Sequence, residues 1–384
     1  MLTIYNKAAL CAAVSLCILP PSAQAQIDHS TMHHDHDAPA SIEMSHSNHM
    51  QSQGHDHSGA IEPQSLMGTH MHKKGEWMVG YKYNFMRMDG MRAGTNDLSQ
   101  ADVIARANPN APPANFRVVP KDMNMHMHMF SAMYGVTDWL TVMGMAMYMK
   151  NDMSHVTYNM AGNKIGTFET SSGGLGDFKI SSLMRLYEAM HGDTTHKLHL
   201  NMGLSLPTGD LTEDDEVLTP MGTRMTMRLP YAMQLGSGTY DFLPGITYTG
   251  HKDNWGWGLQ YSGETRLQDE NDEGYRLGDK HSLHSWAGYN FDNGLNFGSR
   301  LSYSHQDNIH GRDSSISAPV PTADPDNYGG ERINLGLFAG FTPKNPEFKG
   351  QVFGIEGDIP LYQDLNGPQM KQDYSLSLRW SFGF

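Results

Sequence analysis

Along most of this chain the apolar positions recur with period two. From Glu76 onward, stretches of about ten residues with alternating apolar and polar side chains are separated by segments rich in Gly, Pro, Asn and Asp. Successive side chains of a strand point to opposite faces, so each such stretch has one greasy face and one wet face. The pattern predicts strands at 77–88, 123–134, 139–149, 176–187, 197–206, 240–249, 255–266, 281–290, 295–305, 332–341, 350–361 and 373–384. No segment after Ala25 offers roughly 20 uninterrupted apolar residues, so no transmembrane helix is expected. A sheet that crosses a bilayer must close on itself, because lipid cannot satisfy an open edge. The expectation is an all-β fold: a transmembrane antiparallel β-barrel of about twelve strands over residues 75–384.

Parity decides one ambiguous segment. Residues 224–235 also alternate, but counting them gives an odd number of strands and puts the long loops 267–280 and 306–331 beside the short turns. Bacterial barrels have an even strand number, short periplasmic turns and long outer loops. Residues 207–239 are therefore expected to form one long extracellular loop, with its own hairpin or folded inward. Loops 89–122, 150–175, 267–280, 306–331 and 362–372 join it outside. Turns 135–138, 188–196, 250–254, 291–294 and 342–349 face the periplasm.

Facing follows from the alternation. Leu198, Leu200, Met202, Leu204 and Leu206 are expected to face lipid, with Lys197, His199, Asn201 and Ser205 in the lumen. Leu295, Phe297, Leu301 and Tyr303 point out; Asn296, Arg300 and Ser302 point in. Further inward charges are Lys179, Arg185, Glu264, Arg266, Glu356, Asp358 and Arg379. Twelve strands lie between the side-chain-filled eight-stranded barrel and the open porin, so a narrow pore is expected.

Both ends of the sequence agree with export to a bacterial outer membrane. Met1–Ala25 reads as a signal peptide, with Lys7, an apolar run from Ala8 to Leu19 and a small-residue cleavage site at Ala23-Gln-Ala25. Residues 374–384 alternate up to an aromatic terminus and resemble the last strand of an outer-membrane barrel. There Phe384 would be the signal read by the barrel-assembly machinery. Both cysteines, Cys11 and Cys17, lie in the leader, which leaves the mature chain without thiol chemistry. The net charge of −14 argues against a nucleic-acid partner. No G-x-S-x-G or H-E-x-x-H arrangement appears, so no enzyme is expected.

Residues 26–74 are a different material. Ten histidines stand among Ser, Asp, Gln and Met without aromatics, a composition expected to stay disordered as a periplasmic arm. Its candidate metal ligands are His29, Met32, His33, His34, His36, Met44, His46, His49, Met50, His55, His57, His70 and His72. Imidazole suits copper, zinc and nickel, and thioether favours Cu(I) or Ag(I), so copper or silver ions are the expected ligands. The alternative is a low-complexity linker whose histidines are incidental or respond to pH.

A second His/Met cluster lies on two predicted strands. A turn at 135–138 would pair Tyr134 with Trp139, setting His128 opposite Met145 and His126 opposite Met147. His126, His128, Met143, Met145 and Met147 would then line the lumen as soft ligands. Met125, Met127, Met129 and Met133 would face lipid. The competing reading is Met as adaptable filler in place of Leu.

Four motifs carry a family resemblance. They are Tyr134-Gly-Val-Thr-Asp-Trp-Leu140, Ser172-Gly-Gly-Leu-Gly-Asp-Phe178, Gly203-Leu-Ser-Leu-Pro-Thr-Gly-Asp210 and Gln234-Leu-Gly-Ser-Gly-Thr-Tyr240. Over residues 134–249 the chain resembles the outer-membrane family named for the meta pathway of phenol degradation. The resemblance implies a transporter-like barrel. The His-rich arm and the methionine content lie outside that pattern. Two functions follow as expectations. One is an outer-membrane barrel that binds and transports soft metal ions, copper or silver, in metal handling or resistance. The other is a diffusion channel for small organic, aromatic molecules, with the arm as a metal buffer or linker.

Overall fold

A computed structural model of the chain describes residues 61–110 and 112–384. The expected leader and the arm as far as Ala60 lie outside them, and with them His29, Met32, His33, His34, His36, Met44, His46, His49, Met50, His55 and His57. Within the described residues the chain is all-β, and its strands close into one antiparallel barrel.

The wall is built in sequence order. It comprises β1 (Trp77–Gly94), β3 (Val118–Thr137), β4 (Leu140–Tyr158), β6 (Phe178–His191), β7 (Thr194–Leu206), β10 (Asp241–Lys252), β11 (Trp255–Arg266), β13 (Lys280–Asn290), β14 (Leu295–Gln306), β16 (Gly330–Phe341) and β17 (Gln351–Gly383). β17 then pairs with β1 and closes the ring. A straight strand of 33 residues would be roughly 110 Å long. Yet the N–H of Gly383 donates to the carbonyl of Gly350 at 2.9 Å. β17 therefore doubles back, near Gly367, whose φ of 69° is the left-handed backbone that glycine adopts readily at a reversal. Its first half pairs with β16 (Phe341 with Phe353) and its second with β1 (Met78 with Gly383). Eleven strand elements thus cross the wall twelve times, in agreement with the alternation.

Several strands run further than the sequence pattern indicates. β3 has 20 residues, about twice the 9–11 a tilted strand needs to cross a bilayer. The segment 150–175 is not a loop, because β4 continues to Tyr158 and returns as β5 (Lys164–Leu175). β5 and the start of β6 pair successively with β4, so they form one strand broken at Gly176-Asp177.

Short turns and both ends of the barrel share one rim, where Trp77 and Phe384 exchange backbone hydrogen bonds of 2.9 Å. Long loops share the other. One of them holds the short strand β2 (Asn96–Leu98) and the single-turn helix α1 (Gln100–Ile104). Residues 207–239 lie outside the wall as expected and form the hairpin β8 (Asp214–Leu218) and β9 (Arg224–Arg228). The loop also folds inward. Leu229 and Met233 are buried against Val119, Met123, Met153 and Met370. Two further loops pair through β12 (Tyr275–Arg276) and β15 (His310–Gly311). Tyr231, Tyr275 and Tyr328 meet edge to face, with ring centroids 4.8 and 5.6 Å apart, so three loops form one packed cap.

Candidate functional site

Residues 61–72, assigned by composition to the disordered arm, occupy the lumen at the short-turn rim. This plug touches the wall all round. The indole N–H of Trp286 on β13 donates to the carbonyl of Ile61 at 2.9 Å. Ser65 N–H donates to Glu356 on β17 at 2.8 Å, and Lys82 on β1 donates to the Ser65 carbonyl at 2.8 Å. His199 and Asn201 on β7 reach the Gly68 carbonyl at 2.9 and 3.2 Å. His72 N–H donates to Thr141 Oγ1 on β4 at 3.0 Å, and the Thr141 hydroxyl donates back to the His72 carbonyl at 3.3 Å. Ile61 and Leu66 bury themselves on Trp286 and Phe338. A backbone with many buried polar groups needs partners for them, and the inward-facing polar side chains provide these.

Of the expected metal ligands, His70 and His72 are therefore plug residues. The ring of His70 lies 3.0 Å from both carboxylate oxygens of Glu62, and Arg379 lies 3.4 Å from the same carboxylate. Burial raises the Glu62 pKa, but His70 and Arg379 lower it more and hold the carboxyl well below the usual range. His72 is fully buried, with Glu76 3.8 Å away. Among the described residues no group of three or more His, Cys, Asp and Glu is placed to hold a metal ion.

The second His/Met cluster is divided by the wall. β3 pairs Tyr134 with Val142, not Trp139, and His128 lies opposite Tyr148 and His126 opposite Lys150. The register differs from the expected one by three residues, and an odd shift exchanges the two faces. Its cause is a turn of only two residues, Asp138 and Trp139, combined with an irregularity between Gly135 and Thr137. His126 and His128 thus face outward, with Nδ1 2.8 Å from the hydroxyls of Tyr83 and Tyr81 respectively. They line no pore. Met125, Met127, Met129 and Met133 face inward, not toward lipid. Met143, Met145 and Met147 do face the lumen, as expected, alternating with exposed Val142 and Tyr148.

The result is a continuous methionine wall across β1, β3 and β4. In register, Met78 lies beside Met133 and Met133 beside Met143; Met129 lies beside Met147 and Met127 beside Met149; Met86 lies beside Met125, and Met88, Met123 and Met153 form the last row. The opposite wall is charged. Arg300 binds Glu356 at 2.7 Å and also Asp358; Glu264 links Lys179 at 3.5 Å and Arg266 at 3.0 Å, and Arg266 binds buried Asp241. Apart from Asp241, these inward charges are the ones alternation predicts, and opposite signs neutralise one another there. The outward and inward sets on β7 and β14 also stand as expected: Phe297 is exposed, while His199, Ser205, Asn296, Arg300 and Ser302 are buried.

Two cavities lie toward opposite ends of the barrel. One, of about 630 Å³, opens beneath the plug and is bordered by Glu62, His70, Arg185, Lys197 and Arg379. The other, of about 340 Å³, sits at the loop end and is almost wholly apolar, bordered by Val118, Phe168, Val217, Leu218, Met225 and Val320.

Three of the four motifs prove to be one joint, while Tyr134–Leu140 makes the β3–β4 turn at the other rim. Asp177 accepts the backbone N–H groups of Thr208 at 3.1 Å, Gly209 at 3.0 Å and Ser237 at 2.8 Å. Gly209 and Gly236 are in backbone contact, so a Cβ on Gly209 would stand 2.6 Å from the Gly236 Cα. This joint fixes the point where the 207–239 loop leaves the wall. The plug was missed by sequence reasoning, although Ile61, Leu66, Met67 and Met71 bring large apolar residues closer together than in the His-rich stretch before them.

No protein-family model matches this chain, and no curated protein matches its sequence. The fold is similar to solved outer-membrane channels. A COG4313 outer-membrane channel from Pseudomonas putida F1 superposes with TM-score 0.54 at 15% identity, covering 85% of this chain and all of that one. A mutant of the monoaromatic hydrocarbon channel TodX gives 0.38 at 8% identity, covering 81% of this chain and 91% of that one. A Pseudomonas aeruginosa FadL homologue gives 0.37 at 9% identity, covering 80% and 89%. The fold is that of an outer-membrane β-barrel.

Proposed function

We propose that this protein is a bacterial outer-membrane channel for small, largely apolar organic molecules, closed at rest by the 61–72 plug. The apolar cavity at the loop end carries the reading. It offers such a molecule a site of fitting size beside the cap. Beyond the cap, the methionine wall continues an adaptable apolar surface toward the plug. The short-turn rim then faces the periplasm, and the arm lies there. Phe384 would engage the assembly machinery, and the outer wall would meet lipid. The comparison with a COG4313 channel supports the fold on which this rests. We also propose that the arm binds copper or silver, on the strength of its interleaved His and Met; copper titration of the mature protein against an arm with its histidines replaced by alanine tests this.

The channel reading is tested by transport. Cells expressing the protein should take up toluene or phenol faster than cells lacking it, with no gain for a disaccharide. Deleting residues 61–72 should raise conductance in planar bilayers. Equal toluene uptake with and without the protein would overturn the proposal.

A further inference from the structure

Where the plug meets the methionine wall, five thioethers come together. Met78, Met133 and Met143 are direct register neighbours on three adjacent strands and share the lumenal face. Opposed side chains on neighbouring strands stand about 4.5–5.5 Å apart at Cβ, which lets Met78 and Met143 each pack against Met133. All three side chains are buried, and Met67 and Met71 of the plug pack onto them. Leu183 is the remaining member of the cluster.

We propose that Met67 and Met71 of the plug, with Met78, Met133 and Met143 of the wall, form a site for a soft monovalent cation, Ag(I) or Cu(I). Thioether sulfur is a soft, neutral donor that favours such ions over zinc or Cu(II). Five flexible donors allow three or four to converge on one ion. Simple packing calls for apolar volume only, which leucine fills as well on a strand face. Two donors belong to the plug and three to the wall, so the site exists only while the plug is seated. Binding and seating are then linked: an ion that prefers the seated state stabilises it. A soft-metal load on the plug side would hold the channel shut. This rests on the plug's position and not on the solute proposed above, so toluene transport can fail while this site stands.

The test uses the full mature protein in detergent with Met32→Leu, Met44→Leu and Met50→Leu, which removes the thioethers of the arm before Ile61. Calorimetric titration with silver nitrate is compared for this background, for Met67→Leu/Met71→Leu and for Met127→Leu/Met129→Leu. The plug pair should weaken the tightest silver site about tenfold or more, and the wall pair should leave it unchanged. Silver should also slow proteolysis of residues 61–74 in the background protein and not in the plug variant. Equal silver affinity in background and plug variant would overturn the proposal and leave these methionines as packing. If the plug variant loses heat-modifiable migration, X-ray absorption of the silver-loaded background protein decides. Three or more sulfur neighbours support the site, and oxygen or nitrogen neighbours alone overturn it.

Discussion

The carboxylate of Asp177 accepts the backbone N–H of Ser237, 60 residues further along the chain, at 2.8 Å. Its other oxygen accepts from Thr208 and Gly209. One side chain thus satisfies three N–H groups where the wall strand bends and a long loop departs. Asp177→Ala would leave these donors without their acceptor, at about 1–3 kcal/mol for each buried group. The variant should unfold at a clearly lower temperature on semi-native gels, and Asp177→Asn should fall between. An unshifted unfolding temperature for Asp177→Ala would show that the joint is dispensable.

The Thr141–His72 pair anchors the far end of the plug. Thr141→Val keeps the shape and removes both reciprocal hydrogen bonds. It should loosen the plug by about 1–3 kcal/mol, because the His72 backbone stays buried without its partner. Faster cleavage between 61 and 74 by limited proteolysis, with an intact barrel, is the expected outcome.

Glu62 makes plug seating acid-sensitive in a defined sense. Its carboxyl pKa is lowered in the seated state, so its contribution is present above the unfolded value, roughly pH 4.3, and declines as pH falls further. Glu62→Gln should therefore seat the plug less firmly than wild type across neutral pH. The difference should narrow only in strong acid. Conductance traces recorded for both proteins at several pH values provide the check; a gap that widens on acidification would contradict a lowered Glu62 pKa in the seated plug.

The register of β3 can be read by charge. Phe130 is 55% exposed on the outer face, whereas Met129 beside it faces the lumen. An arginine on a lipid face costs about 2–4 kcal/mol at the bilayer midplane. Phe130→Arg should impair insertion, and Met129→Arg should insert and alter conductance. The opposite ranking would restore the register expected from the sequence.

The number of wall crossings, the places of most of them and the facing of β7 and β14 were legible in the sequence because their alternation is between unlike residues; the strand pairing over 150–175 was not. Leu against His or Asn, and Phe against Arg, have one comfortable side each. In β3 the alternation is Met-His-Met-His, and there the signal fails. Methionine is apolar enough for lipid and adaptable enough for a lumen. An imidazole can face outward once a tyrosine hydroxyl from the next strand satisfies its nitrogen, as Tyr81 and Tyr83 do. Only the pairing of β1, β3 and β4 decides which set turns inward, and a two-residue turn and one irregularity fixed it. The plug shows the same division. Its residues carry no periodicity, and their partners Thr141, His199, Trp286 and Glu356 are 69 to 291 positions away. Local composition determines whether a segment can bury itself alone. Whether it finds a cavity lined with matching donors and acceptors is settled only when the barrel closes.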